Sequence, residues 1–158
     1  MENPMPRMRI LTASEQTAFD KPPLFDAEQR KQFFSFPSTL LSIANTLRTP
    51  NGQIGFLLLC GYFKATKRFF LPQDFHPRDI AAVATLLDQQ ADCFVGGDYR
   101  KTTRIRHQGT ILEFYRFSAC DHHAENALAT EITTMAKTYL KPKRMFDRCV
   151  DFLIQQRI

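Results

Sequence analysis

Thr49-Pro50-Asn51-Gly52-Gln53-Ile54-Gly55-Phe56-Leu57-Leu58-Leu59-Cys60-Gly61-Tyr62-Phe63-Lys64 is the stretch on which the fold turns. Thr49 has the side chain of an N-cap. Pro50 suits the first helical position, where its missing N–H would have no intrahelical partner anyway. The residues that follow are apolar on nearly every side of a helical period, and a helix without a polar face belongs in the centre of a core. Other helices must therefore surround it.

Working towards the N-terminus, Ser38–Leu47 repeats Leu40, Leu41, Ile43, Ala44 and Leu47 at helical spacing and leaves Ser42, Asn45 and Thr46 outside. Pro37 separates it from a helix that Asp26 can cap and that runs through Phe34. Thr12-Ala13-Ser14-Glu15 is a capping-box pattern and predicts a short helix to about Phe19, stopped by Lys21-Pro22-Pro23.

Towards the C-terminus, Leu71–His76 reads as a loop. Pro77 then opens a helix with Ile80, Val83, Ala84 and Leu87 on one face, expected to end near Gln90. Gly96-Gly97 breaks the pattern. Asp98 is an N-cap candidate for Tyr99–His107, Gly109 is expected to end that helix, and Thr110–Phe117 reads as a short separate one. Asp121 caps a helix stacking Ala124, Leu128, Ile132, Met135 and Tyr139. Lys141-Pro142 opens the last, with Met145, Phe146, Cys149, Val150 and Leu153 on one stripe. No stretch alternates apolar and polar residues over strand length, so the expected fold is all-α, a multi-helix bundle.

The chain has 158 residues, 44% of them hydrophobic, as a folded globular protein requires. Its net charge is +5, and dividing it at Gly96-Gly97 shows where that charge lies. Residues 1–95 hold 10 basic and 9 acidic side chains, residues 96–158 hold 11 and 7. This predicts an N-terminal helical domain with an aromatic core (1–95) and a second, more basic helical unit (96–158). A polyanionic partner is favoured. Ile54–Phe63 is too short and too interrupted to span a membrane, and Met1–Pro6 lacks a basic flank leading into an apolar run, so a cytoplasmic location is expected. Cys60, Cys93, Cys120 and Cys149 are widely spread and read as small buried hydrophobes in a reducing compartment. Gln155-Gln156-Arg157-Ile158 carries no C-cap or tail, the pattern of a piece of a longer protein.

The densest functional signal is Tyr99-Arg100-Lys101-Thr102-Thr103-Arg104-Ile105-Arg106-His107. At 100° per residue Arg100, Lys101, Arg104 and His107 fall on one side, with Arg106 projecting elsewhere. Arginine can bond guanine bidentately, and Thr102 or Thr103 can reach a phosphate or a thymine methyl, which is the inventory of a DNA-reading helix; a solvated basic face is the alternative. Arg48-Thr49-Pro50-Asn51-Gly52 leads into a helix N-terminus suited to a phosphate, with Asn51 able to read adenine, or it simply makes a tight connection. Lys64, Lys67 and Arg68 interleave with Tyr62, Phe63, Phe69 and Phe70; stacking on bases is one reading, and burial of the aromatics in a bundle with the cations outside is the favoured one.

Cys120-Asp121-His122-His123 is the one cluster with metal-ligating types, but structural zinc uses two close pairs and no second pair lies nearby, so no metal is expected. Catalysis finds little support. A Cys–His nucleophile from Cys60 or Cys93 with His76 or His107 meets the difficulty that Cys60 lies in the most apolar helix, where a thiolate is disfavoured.

Six runs in order carry a resemblance: Phe19-Asp20-Lys21-Pro22-Pro23-Leu24-Phe25; Arg30-Lys31-Gln32-Phe33-Phe34; Leu47 to Phe56; Gly61-Tyr62-Phe63-Lys64-Ala65; Arg68-Phe69-Phe70; and Arg104-Ile105-Arg106-His107. Together they resemble the N-terminal region of Tn-three family replicative transposases. The resemblance implies helical DNA-binding domains, arranged as tandem helix-turn-helix-like units, that recognise terminal inverted repeats. It also implies a distant C-terminal catalytic domain with three acidic residues and metal ions. No residue here matches that triad, so this chain is expected to be non-catalytic, with no cofactor and no metal.

On this resemblance Arg48, Thr49, Asn51, Lys64, Arg68, Arg104, Arg106 and His107 carry over as DNA-binding positions, beside Arg100, Lys101, Thr103 and Lys67 from the basic runs. The recognition helix is expected first at Tyr99–His107 and second at the helix entered at Asn51. Expected partners are double-stranded DNA, the rest of the transposase and a second protomer, with no membrane and no small-molecule substrate; the bound protein would be associated with a bacterial nucleoid. The rival expectation is a helical protein-interaction module for transposase assembly that reads no DNA sequence.

Overall fold

The computed structural model describes residues 9–138 and 140–158; Met1–Pro6 and Tyr139, on which expectations above rest, lie outside the described residues. Among the described residues eight α-helices follow one another: α1 (Ala13–Asp20), α2 (Ala27–Phe33), α3 (Ser38–Thr46), α4 (Pro50–Thr66), α5 (Pro77–Leu86), α6 (Lys101–Tyr115), α7 (His122–Ala136) and α8 (Pro142–Gln155). Short 3₁₀ turns stand at Pro72–Asp74, Ala91–Cys93 and Gly96–Asp98. There is no strand among the described residues, and the fold is all-α as the periodicity predicts.

The chain forms two compact units, a central one of residues 20–115 and a terminal one that joins residues up to 19 with 116–158. The boundary expected near Gly96-Gly97 instead falls inside the central unit. Packing decides this: His107 of α6 meets Phe56 edge-on at 5.4 Å and Tyr115 lies 5.6 Å from Phe63, so α6 is bound along its length to α4.

α4 is the axis of the central unit, and α2, α3, α5 and α6 pack on it. Every residue from Ile54 to Phe63 is buried. Thr49 caps the helix, its Oγ1 accepting from Gly52 N at 3.0 Å, and Lys67 closes the other end in a left-handed conformation (φ 59°) with its N–H on Phe63 O. Two glycines let neighbours come unusually close. A β-carbon on Gly55 would lie 2.7 Å from the Tyr99 ring, and one on Gly61 would collide with the Phe34 ring.

Around Tyr62 the rings of Phe25, Phe34, Phe70 and Phe75 stand at 5.4–5.9 Å. At the centre lies a wholly buried carboxylate, Asp79, which accepts from Arg30 Nε at 2.8 Å and from Tyr62 Oη at 2.5 Å. The Arg30 guanidinium also donates to Phe25 O, and Tyr62 Oη accepts from His76 N. A buried charge is tolerated only with such a set of partners, and this one ties α2, α4 and α5 together. Burial and the Asp79 bond push the Tyr62 phenol pKa far above its ordinary value.

Three local expectations are corrected. α6 does not stop at Gly109: it continues to Tyr115, so Thr110–Phe117 is not a separate helix. Buried His107 and Ile111 anchor both sides of the glycine and offset its helix cost, roughly 1 kcal/mol. Asp98 is not the cap of that helix but the last residue of a 3₁₀ turn, and the first α-type bond runs from Arg104 N to Arg100 O. α5 ends at Leu86 because Asp88 turns left-handed (φ 55°) and Gln89 N returns to Ala84 O.

In the terminal unit, α1 has the predicted capping box: Thr12 N donates to Glu15 Oε2 at 2.8 Å and Glu15 N to Thr12 Oγ1 at 3.2 Å. Phe19 meets Phe146 of α8 edge-on at 5.1 Å. α7, capped by Asp121, and α8 pack together as a helical hairpin. Only Ala124 and Met135 are buried here among the described residues, while Met145, Phe146, Cys149, Val150 and Leu153 are half-buried. Of the four cysteines only Cys60 is buried; Cys93 and Cys120 are exposed and Cys149 is intermediate, because the last three lie in a turn, a loop and an amphipathic helix rather than in the core. No helix among the described residues is long and apolar enough to cross a membrane.

Candidate nucleic-acid interface

Residue pairings along α4 and α6 rise together: Gly52 and Phe56 lie beside His107, and Phe63 lies beside Tyr115. The two helices therefore run in the same direction and start at the same end of the central unit. His107 and Phe56 each stand six residues into their helices, and Tyr115 and Phe63 stand 14 and 13 residues in, so α6 and α4 start at nearly the same level. Both positive helix ends face the same way.

The sequence-predicted residues fall into two groups on this frame. Arg48, Thr49, Asn51, Arg100, Lys101, Thr103, Arg104, Arg106 and His107 belong to the shared starting end or the first two turns of α6. Arg48, Arg100, Lys101 and Arg106 are exposed there, and none of the four is in an ion pair among the described residues. Thr103 and Arg104 are half-buried on the flank.

Three of the candidates are engaged by the fold instead. Thr49 Oγ1 is the α4 cap. Asn51 Oδ1 accepts from Val95 N at 2.8 Å, pinning the loop ahead of α6 to the start of α4, so this amide is not presented for reading adenine. His107 is buried at 4% exposure, its Nδ1 2.6 Å from Tyr99 Oη. Burial, with the Arg106 charge adding to it, holds the imidazole pKa down at about 4, and burial pushes the Tyr99 phenol far up. Imidazole and phenol are therefore both neutral and share one hydrogen bond. The expected face of Arg100, Lys101, Arg104 and His107 is accordingly rotated: His107 points inward with Ile111, and the outward surface of α6 is Thr102, Ile105, Arg106 and Gly109, with Lys101 beside it. The signal for this was in the sequence, since Thr103, His107, Ile111 and Phe114 make an inward stripe once α6 is read through Gly109. Ile105 and Gly109 are the residues that reading missed.

The second group lies at the other end of α4, about 25 Å away for a helix of 17 residues. Lys64 Nζ donates to Gln32 O at 3.1 Å and Ser35 O at 3.0 Å, and Lys67 Nζ donates to Lys64 O and stands 5.9 Å from the Phe63 ring. Arg68 lies 5.5 Å from the Phe70 ring, its pKa lowered by burial. Phe63 and Phe70 are in the core. The structure separates these three cations from the α6 end, and it buries α4 so completely that the helix entered at Asn51 cannot enter a groove.

Among the described residues no group of three or more His, Cys, Asp or Glu is placed to share a metal ion. His122 and His123 are exposed in the first turn of α7, His122 beside Glu125 at 3.3 Å. Burial drives the Cys60 thiol pKa far up, which removes it as a thiolate nucleophile.

A family model described as a domain of unknown function, DUF4158, matches residues 10–158, and the chain belongs to that family. No curated protein and no solved structure matches it.

Proposed function

We propose that this chain binds double-stranded DNA through the starting end of α4 and α6, as the non-catalytic end-recognition part of a Tn-three family transposase. The observation that carries the reading is the concentration of exposed, unpaired cations, Arg48, Arg100, Lys101 and Arg106, at the end where two parallel helices both begin. Cations there neutralise phosphates and supply most of the affinity and its salt dependence, while one exposed helix face reads base edges. The transposase context rests on the six runs quoted above, five of which lie wholly within the central unit. Bound in this way, the chain would lie on the bacterial nucleoid, with the catalytic part of the enzyme as its neighbour.

The test is fluorescence anisotropy of the chain on the terminal inverted repeat of its own element and on a shuffled duplex, each at two salt concentrations. Tighter, salt-sensitive binding to the repeat is expected. R100A, K101A and R106A combined should remove that preference and leave the helical circular dichroism unchanged, since all three side chains are exposed. Equal affinity for both duplexes overturns the reading.

One observation favours a second reading, a helical interaction module. An open groove of about 390 Å³ in the terminal unit is lined by Ile10, Leu128, Ile132, Pro142, Met145, Phe146, Cys149, Val150 and Leu153, without a single charged side chain. Under that reading DNA affinity is indifferent to sequence and Leu153→Asp removes self-association or binding to the remainder of the enzyme.

A further inference from the structure

A glycine inside a helix costs roughly 1 kcal/mol relative to alanine, so one that persists needs a reason. In α4 the reason is internal, since a β-carbon at Gly55 or Gly61 would strike the ring of Tyr99 or Phe34. Gly109 has no such reason. A β-carbon there meets nothing within 4 Å, and the residue stands exposed in mid-helix, eight residues into the fifteen of α6.

Its neighbours on the same face are Thr102, Ile105 and Arg106, one and two turns towards the helix start. Ile105 is 54% exposed, an aliphatic side chain between Lys101 and Arg106. Glu113 lies one turn beyond Gly109 on the same side and is exposed, so the cationic part of the face ends at the glycine.

We infer that Thr102, Ile105, Arg106 and Gly109 form the base-reading surface, with Gly109 admitting α6 deep into the major groove and Ile105 resting on the 5-methyl group of a thymine. This rests on the DNA-binding reading above and adds to it the groove, the face and the base feature recognised. The occupant is set by charge complementarity. Lys101 and Arg106 flank the apolar and small positions as phosphate and base-edge donors do, and the C5 methyl of thymine is the one apolar group that the major groove displays. Phosphates beyond the glycine would meet Glu113, which limits insertion to the first two and a half turns.

The experiment uses the whole chain and the inverted-repeat duplex in two forms, one normal and one with deoxyuridine replacing thymidine, which removes only the methyl groups. Wild type should bind the uracil duplex roughly fivefold or more weakly, the lower end of the cost of one lost base contact. Ile105→Ala should bind the normal duplex with the same loss and no longer distinguish the two. Gly109→Gln should raise the melting temperature, as the helix gains a better former, and yet weaken repeat binding roughly tenfold or more. A merely structural glycine would not move affinity and stability in opposite directions. If the repeat is still preferred over a shuffled duplex but uracil, Ile105→Ala and Gly109→Gln all bind like wild type, this surface assignment is overturned and the DNA-binding reading stands. If wild type does not prefer the repeat at all, the reading itself fails and takes the assignment with it.

Discussion

The two units of this chain bury their helices very differently. The central unit holds a helix that is buried on every side, a shell of aromatic rings and a fully buried carboxylate with its arginine and tyrosine. The terminal unit contains α8, whose apolar stripe is well marked, yet none of its residues is buried. An amphipathic pattern states which face of a helix will turn away from water; it does not state how completely that face is covered. Coverage depends on how many other elements converge, and four helices pack on α4.

The contrast can be broken most forcefully at its polar centre. Asp79→Ala leaves Arg30 half-buried without its carboxylate and strips Tyr62 of its acceptor, and should destabilise the central unit by about 3–5 kcal/mol. Three of the four tyrosines, Tyr62, Tyr99 and Tyr115, lie in that unit, so denaturant titration followed by near-ultraviolet circular dichroism reads it; an unchanged midpoint would show that the triad contributes no stability.

Next in size is Gly61→Ala. The added methyl displaces the Phe34 ring from its place against Tyr62 and Phe25, and such overpacking costs about 1–3 kcal/mol. The same titration should register that loss, and a neutral result would mean that the aromatic shell can shift freely.

Acid sharpens the comparison further. The His107 pKa falls from an ordinary 6.5 to about 4 in the folded chain, so between those values the unfolded chain binds more protons and stability falls as pH falls. Lowering the pH from 7 to 4.5 should cost wild type about 2 kcal/mol more than His107→Gln. Parallel pH profiles for the two proteins would refute this.

The smallest effect is expected in the terminal unit. Phe146→Ala removes a half-buried ring and its edge contact with Phe19, worth about 1–2 kcal/mol rather than the full cost of a buried phenylalanine. Hydrogen exchange should speed up in α7 and α8 while the amides of α4 keep their protection. Equal acceleration in α4 would erase the distinction between the two units.

Much of the fold was legible because its signals are local. Thr49, Asp26 and Asp121 cap the helices they were expected to cap, Pro50 and Pro77 open theirs, and the all-round apolarity of Ile54–Phe63 correctly marked the core. Each follows from backbone groups and side chains a few residues apart. The candidate interface was legible in composition but not in orientation. The run from Arg100 to His107 is plainly basic in the sequence, but a glycine at 109 reads as a helix stop, which hides the inward stripe that continues through Ile111 and Phe114 and so the outward face as well.

What the sequence determined by itself is therefore the helical class, most helix boundaries and the identity of the central helix. Only the tertiary structure decided that α6 lies parallel to α4, that His107 turns inward to Tyr99, that Asn51 is spent on Val95, and that Lys64, Lys67 and Arg68 stand at the far end from Arg48 and Lys101. These pairings link residues 8 to 52 positions apart, and no local pattern encodes which of several chemically similar partners a side chain will meet. Packing around α4 selects them, because a core fills at near-crystalline density and admits few arrangements of the rings and charges that close it.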